Sequence, residues 1–224
     1  MDNPTLVITS IVVVLLSIAL HEFAHAKFAD AAGDPTPRNQ GRVTLNPLAH
    51  LDPIGTILIV ITSLTGFGFG WGKPVMVNPS KMRNPRWDHF VSVIAGPATN
   101  LLLAAVFAII LRVMMMTGSL GEVALGSPMA GGILVAFLLY GVVINVALCF
   151  FNLIPIGPLD GHWLVGAFMP EPARTQWYQF NRGPGALIFI VLVLMPSGSP
   201  LDIFGRILRP AVSKAAEFFL GFPL

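Results

Sequence analysis

The chain has 224 residues, with 13 Lys and Arg against 11 Asp and Glu for a net charge of +2. With 54% hydrophobic and 11% charged residues and a mean hydropathy of +0.76, this is not the composition of a water-soluble globule. So small a net charge, without clustering of basic and aromatic residues, excludes a nucleic-acid partner, and a single cysteine, Cys149, excludes an internal disulfide.

Five stretches run without a charged residue: Asn3 to Leu20, Pro53 to Gly72, Phe90 to Leu111, Val123 to Leu159 and Gly183 to Leu201. A helix needs about 20 mostly apolar residues to cross hydrocarbon, so several of these are predicted spans. The expected fold is an all-α polytopic membrane protein of about four transmembrane helices, with a re-entrant loop, a short β segment and a C-terminal interfacial helix. No internal repeat occurs and no soluble module fits between the apolar stretches. Residues 1–224 therefore read as one domain, with a core over about 5–168 and a tail over about 183–220.

The first helix is predicted from about Thr5 to Asp30. It opens with Asp2 rather than basic residues and has no small-residue cleavage site before His21, so it is expected to be kept rather than removed as a secretory signal. It stops at AGDPTPRNQG, whose Gly, Pro and Asn cannot continue a helix. In the next apolar stretch, Gly66, Gly68, Gly70 and Gly72 suit an irregular loop better than a helix. Lys73 to Asn78, KPVMVN, then reads as a short strand with Val75 and Val77 on one face.

The second helix is predicted from Trp87 to about Met116. Ser92, Gly96, Asn100, Ala104 and Ala108 recur at every fourth residue, a strip of small and polar side chains that lets another helix approach closely. A third helix, about Ala130 to Asn152, carries Gly141, Asn145 and Asn152. It breaks at NLIPIGPLDG, where Pro155 and Pro158 remove donors and disfavour helix before them. Such a break at membrane depth is tolerated only where it lines protein or a water cavity. Gly183 to Met195 is a candidate short span. In the tail Phe204, Ile207, Leu208, Ala211, Ala215, Phe218 and Phe219 form an apolar stripe opposed by Asp202, Arg206, Arg209, Lys214 and Glu217, the pattern of an interfacial amphipathic helix.

Chemistry concentrates at His21, Glu22 and His25, which read HEFAH within the first helix. Four residues at 100° each bring the two imidazoles to within about 40° on one face. One turn apart, they can hold a single zinc ion, with the glutamate placed to take a proton from water. Ionisable groups inside an apolar helix are costly and mark function. A catalytic zinc takes three protein ligands and leaves one position open. The candidates for the third are His50, His89, Asp160, His162 and Glu171; Asp160 is favoured because it follows the proline-broken helix, and His162 is its close rival.

HEFAH in the first span, GPATN in the second helix and FNLIPIGPLDG after the third together resemble the site-2 protease family of intramembrane zinc metalloproteases. GRVTLNPLAHLDPIGT and WGKPVMVNP resemble segments of its small bacterial and archaeal members, so the likeness runs from about Ser17 to Trp163. It implies one Zn2+ per chain held by His21, His25 and Asp160, Glu22 as general base, and Asn152 near the scissile carbonyl. It also implies membrane-spanning protein substrates. No PDZ or CBS module of the kind many members carry fits within these residues.

If Asp160 joins His21 and His25, the chain must return to one side of the membrane by residue 160. The second and third helices make one round trip, so Ile54 to Gly72 is expected to dip in and return. Lys27 lies at the end of the first helix and Arg38, Arg42, Lys73, Lys81, Arg83 and Arg86 fall between it and the second, whereas Thr117 to Ala130 has no Lys or Arg. The positive-inside rule then puts the site towards the cytoplasm of the cell membrane and the N-terminus outside. The partners expected are transmembrane protein substrates and membrane lipids, with a homo-oligomer left open. A membrane metal transporter and an inactive, partner-binding relative are the alternatives; the first would need ligands at a second depth, and an intact Glu22 argues against the second.

Overall fold

The computed structural model describes residues 3–65, 70–195, 199, 202 and 204–223. Three described helices are long and apolar enough to cross a membrane: α1 (Pro4–Ala31), α4 (Trp87–Met116) and α6 (Pro128–Asn152). Between and after them lie α2 (Thr36–Asn39), α3 (Pro53–Thr65), α5 (Ser119–Gly126), α7 (Asp160–Phe168), α8 (Ala173–Arg182), α9 (Pro184–Val193) and α10 (Arg209–Leu220). Asn3 caps α1 by accepting from Thr5 N, and Ser127 caps α6 by accepting from Ala130 N; each is followed by Pro, which suits a first turn.

The three long helices pack on one another, and small residues set the approach. All five members of the fourth-residue strip on α4, Ser92, Gly96, Asn100, Ala104 and Ala108, are buried. Hydrocarbon gives apolar side chains no drive to associate, so helices meet through close backbone approach and polar pairs. Both occur here: Asn100 Nδ2 donates to Asn145 Oδ1 at 2.9 Å, and Asn145 Nδ2 donates to Ser17 Oγ at 2.9 Å, linking α4, α6 and α1. On the lipid side, Ile8, Val12, Leu102 and Ile109 are exposed.

Three sequence expectations change. The run Pro53–Thr65 is a helix, not an irregular loop, because all 13 of its residues come before Gly66 and only Gly55 interrupts them. Gly66 and Gly68 lie outside the described residues. The chain leaves this region where it entered, since Leu51 and Gly72 form an antiparallel bridge and Lys73 N donates to His50 O at 2.8 Å. Residues 73–78 form no strand; that bridge is the one β pairing among the described residues, and Pro74 has no N–H for a ladder.

The tail also differs. The apolar face of α10 is not spread on an interface: Val212, Ala216 and Leu220 bury against Ala104, Ala108 and Leu111 of α4 and Leu138, Val142 and Val146 of α6. Phe218, assigned to the apolar stripe from sequence, is exposed instead. α9 has 10 residues, about 15 Å of helix, half of a bilayer's hydrocarbon thickness.

Candidate active site

The α1 helix places His21 and His25 one turn apart, facing α4. His21 Nδ1 lies 2.6 Å from Asn100 Oδ1, and His25 Nδ1 lies 2.8 Å from the Ser92 carbonyl. Both partners are acceptors, so both Nδ1 atoms carry the proton and both Nε2 atoms present a lone pair. The α4 backbone runs close beneath the rings. A Cβ at Gly96 would lie 2.4 Å from His25 Nε2 and 2.7 Å from His21 Cε1, so only glycine fits there.

Asp160 comes from the other end of the chain. After α6 ends, Gly157 N donates to Asn181 Oδ1 at 2.7 Å, which ties the proline turn to α8. Gly161 then packs on the end of α6, where a Cβ would lie 2.3 Å from the Leu153 carbonyl. That contact delivers Asp160, the first residue of α7, to the histidines: its Oδ2 lies 3.2 Å from His21 Nε2 and 3.3 Å from His25 Nε2.

The three ligand atoms lie within 4.8 Å of one another. His21 Nε2 and His25 Nε2 are 2.9 Å apart, and Asp160 Oδ2 is buried without a hydrogen-bond partner. Two lone pairs and a carboxylate converging with no donor among them repel one another unless a cation lies between them. Two imidazoles and one carboxylate also form a donor set suited to zinc with a position left open. The residues present therefore fit a zinc ion.

Glu22 flanks the group, and its Oε2 accepts from Val75 N at 3.1 Å. His162, the rival ligand, turns away: its Nδ1 donates to the Leu159 carbonyl. Asn152 Nδ2 donates to Leu148 O, 3.0 Å away on its own helix. His50 is buried with Nε2 on the Thr44 carbonyl, His89 stacks edge-on to Trp163, and Glu171 pairs with Arg174 at the surface. The sequence reading missed Ser92 as the partner of His25 and the Val75 amide as the partner of Glu22. It placed Asn100 in the strip that lets another helix approach, and Asn100 both joins the helices and orients His21.

The model of peptidase family M50 matches residues 9–196, a range that holds all three candidate ligands and Glu22. The chain belongs to peptidase family M50. This bears out the resemblance to the site-2 proteases, and the protein is a membrane metalloprotease that uses zinc. Among curated relatives, "Putative zinc metalloprotease YwhC" of Bacillus subtilis is 39% identical over 196 residues, covering 88% of this chain and 83% of the relative. "Putative zinc metalloprotease Rip2" of Mycolicibacterium smegmatis is 31% identical over 191 residues, covering 82% of this chain and 65% of the relative. No solved structure matches the chain significantly.

Proposed function

We propose that this M50 protease is an intramembrane endopeptidase that cleaves transmembrane segments of single-span membrane proteins, with His21, His25 and Asp160 holding one zinc and Glu22 as general base. The observation that carries the reading is the convergence of the three ligand atoms within 4.8 Å, on side chains that α1 and the turn after α6 turn inward. A single such group among the described residues favours hydrolysis at one site over metal transport along a path.

Bound zinc supplies Lewis-acid chemistry, polarising a carbonyl and acidifying water. The chain supplies the rest. Asn100 and the Ser92 carbonyl fix the two imidazoles, while the Val75 N–H holds one oxygen of Glu22. The other oxygen is free to take a proton from the attacking water and deliver it to the leaving amine. Asn152, rotated off the Leu148 carbonyl, has an amide donor for the developing oxyanion. The irregular backbone around Val75, beside Glu22, offers an edge for an unwound substrate to add to.

In this reading all 224 residues form one protease domain in the cell membrane. The segment from Ile54 to Gly72 dips in and returns, α9 enters only part of the bilayer, and the site faces the cytoplasm with the N-terminus outside. The Leu51–Gly72 bridge and the placement of basic residues support it. The test is to incubate purified protein with a panel of single-span membrane proteins and map products by mass. Cleavage inside a span is expected from the wild type. Glu22→Gln should lower turnover by about 10²–10⁴-fold with zinc retained; substantial turnover in that variant overturns Glu22 as base.

A further inference from the structure

Arg42 is 3% exposed, deeper than its place in a loop before α3 requires. Its guanidinium donates through Nη1 to the Ala49 carbonyl and through Nη2 to the Lys73 carbonyl. These acceptors stand on the two strands of chain that meet at the Leu51–Gly72 bridge, so one side chain ties the entry and exit of the α3 segment together. Two residues beyond Lys73 is Val75, whose N–H meets Glu22. Gly72 closes the same path from the other side: a Cβ there would lie 3.2 Å from the His50 carbonyl and 3.5 Å from Glu22 Cγ.

Both acceptors are neutral, and among the described residues Arg42 forms no ion pair. A buried guanidinium on carbonyls alone is costly. Burial accordingly draws its pKa below the ordinary value, and the charge that opposes this is Glu22. The cation thus attracts the Glu22 carboxylate through space while holding the backbone that touches it.

We propose that Arg42 is a positioning residue for Glu22, setting the Lys73–Val75 backbone so that the Val75 N–H fixes the carboxylate for proton transfer. It rests on the reading of Glu22 as base. A planar fork that reaches two carbonyls at once explains arginine here; a lysine ammonium keeps the charge but not the fork.

The experiment compares wild type, Arg42→Gln, Arg42→Lys, Val75→Pro and the Arg42→Gln/Val75→Pro double variant. It reads kcat and KM on one cleaved single-span substrate, zinc content, thermal melting, and hydrogen exchange over residues 70–78. Arg42→Gln should lower kcat by about 10–100-fold, the size expected of a misplaced catalytic group, with KM within about twofold, zinc and melting kept, and faster exchange at 70–78. Arg42→Lys should recover part of that loss. Val75→Pro, which deletes the N–H, should lose kcat similarly, and the double variant no more than either, because both act through one contact. An unchanged kcat in Arg42→Gln, additive losses in the double variant, or loss of zinc or of cooperative melting in both Arg42 variants overturns the proposal. Failure of the underlying reading shows separately, as turnover retained in Glu22→Gln with Arg42 intact.

Discussion

Asn100 Oδ1 accepts the Nδ1 proton of His21 at 2.6 Å, and the same amide donates to Asn145 at 2.9 Å. One buried asparagine therefore orients a metal ligand and joins two membrane helices. The direction of each bond is fixed from the far end, because Asn145 Nδ2 donates to the Gly141 carbonyl, which has no proton to give. Asn100→Ala should weaken zinc binding by about 10–100-fold, the usual cost of losing such an outer partner. Asn100→Asp keeps the acceptor and should keep more of the affinity. Competition against a zinc chelator measures both; equal affinity in wild type and Asn100→Ala would remove Asn100 from the site.

Asp160, and not His162, is expected to complete the ligand set. Asp160 Oδ2 reaches both imidazoles, whereas His162 has committed Nδ1 to a helix-start carbonyl. Asp160→Ala should lose bound zinc and activity together, and His162→Ala should retain the metal. Metal content of the two purified variants decides the matter, and the reverse pattern would sink the assignment.

At Gly96 the argument is one of space. An alanine methyl would press on both imidazoles, and distances of 2.4 Å and 2.7 Å leave no room without moving a ring or separating α1 from α4. Gly96→Ala should therefore lower zinc affinity and destabilise by about 1–3 kcal/mol. A variant that binds zinc and melts like wild type would show that the helices give way more easily than their packing suggests.

For topology, cysteines introduced at Gly41 and Ser80 in a Cys149→Ala background should react with an impermeant thiol reagent from the same side of the membrane. The Leu51–Gly72 bridge lies between them in sequence and brings the two flanks of α3 together. Labelling from opposite sides would rule out a segment that dips in and returns.

The sequence by itself determined the class, the three long helices and the three candidate ligands. Apolar length against bilayer thickness is a one-dimensional quantity, so α1, α4 and α6 were legible to within about two residues at each end. HEFAH is local as well, since helical periodicity alone brings His21 and His25 together. The fourth-residue strip on α4 was also visible, but not what each member faces. Tertiary structure decided that: Ser92 and Asn100 meet the imidazoles while Ala104 and Ala108 meet the tail. The same limit hid the packed face of α10, because an amphipathic stripe shows that a helix has an apolar side but not whether lipid or protein covers it. Arg42 and the Val75 amide lay beyond sequence reasoning for a stricter reason. Each contact joins a side chain to a backbone group, 31 residues apart for Arg42 and Lys73 and 53 for Glu22 and Val75, and a backbone carbonyl or N–H leaves no signature in residue type.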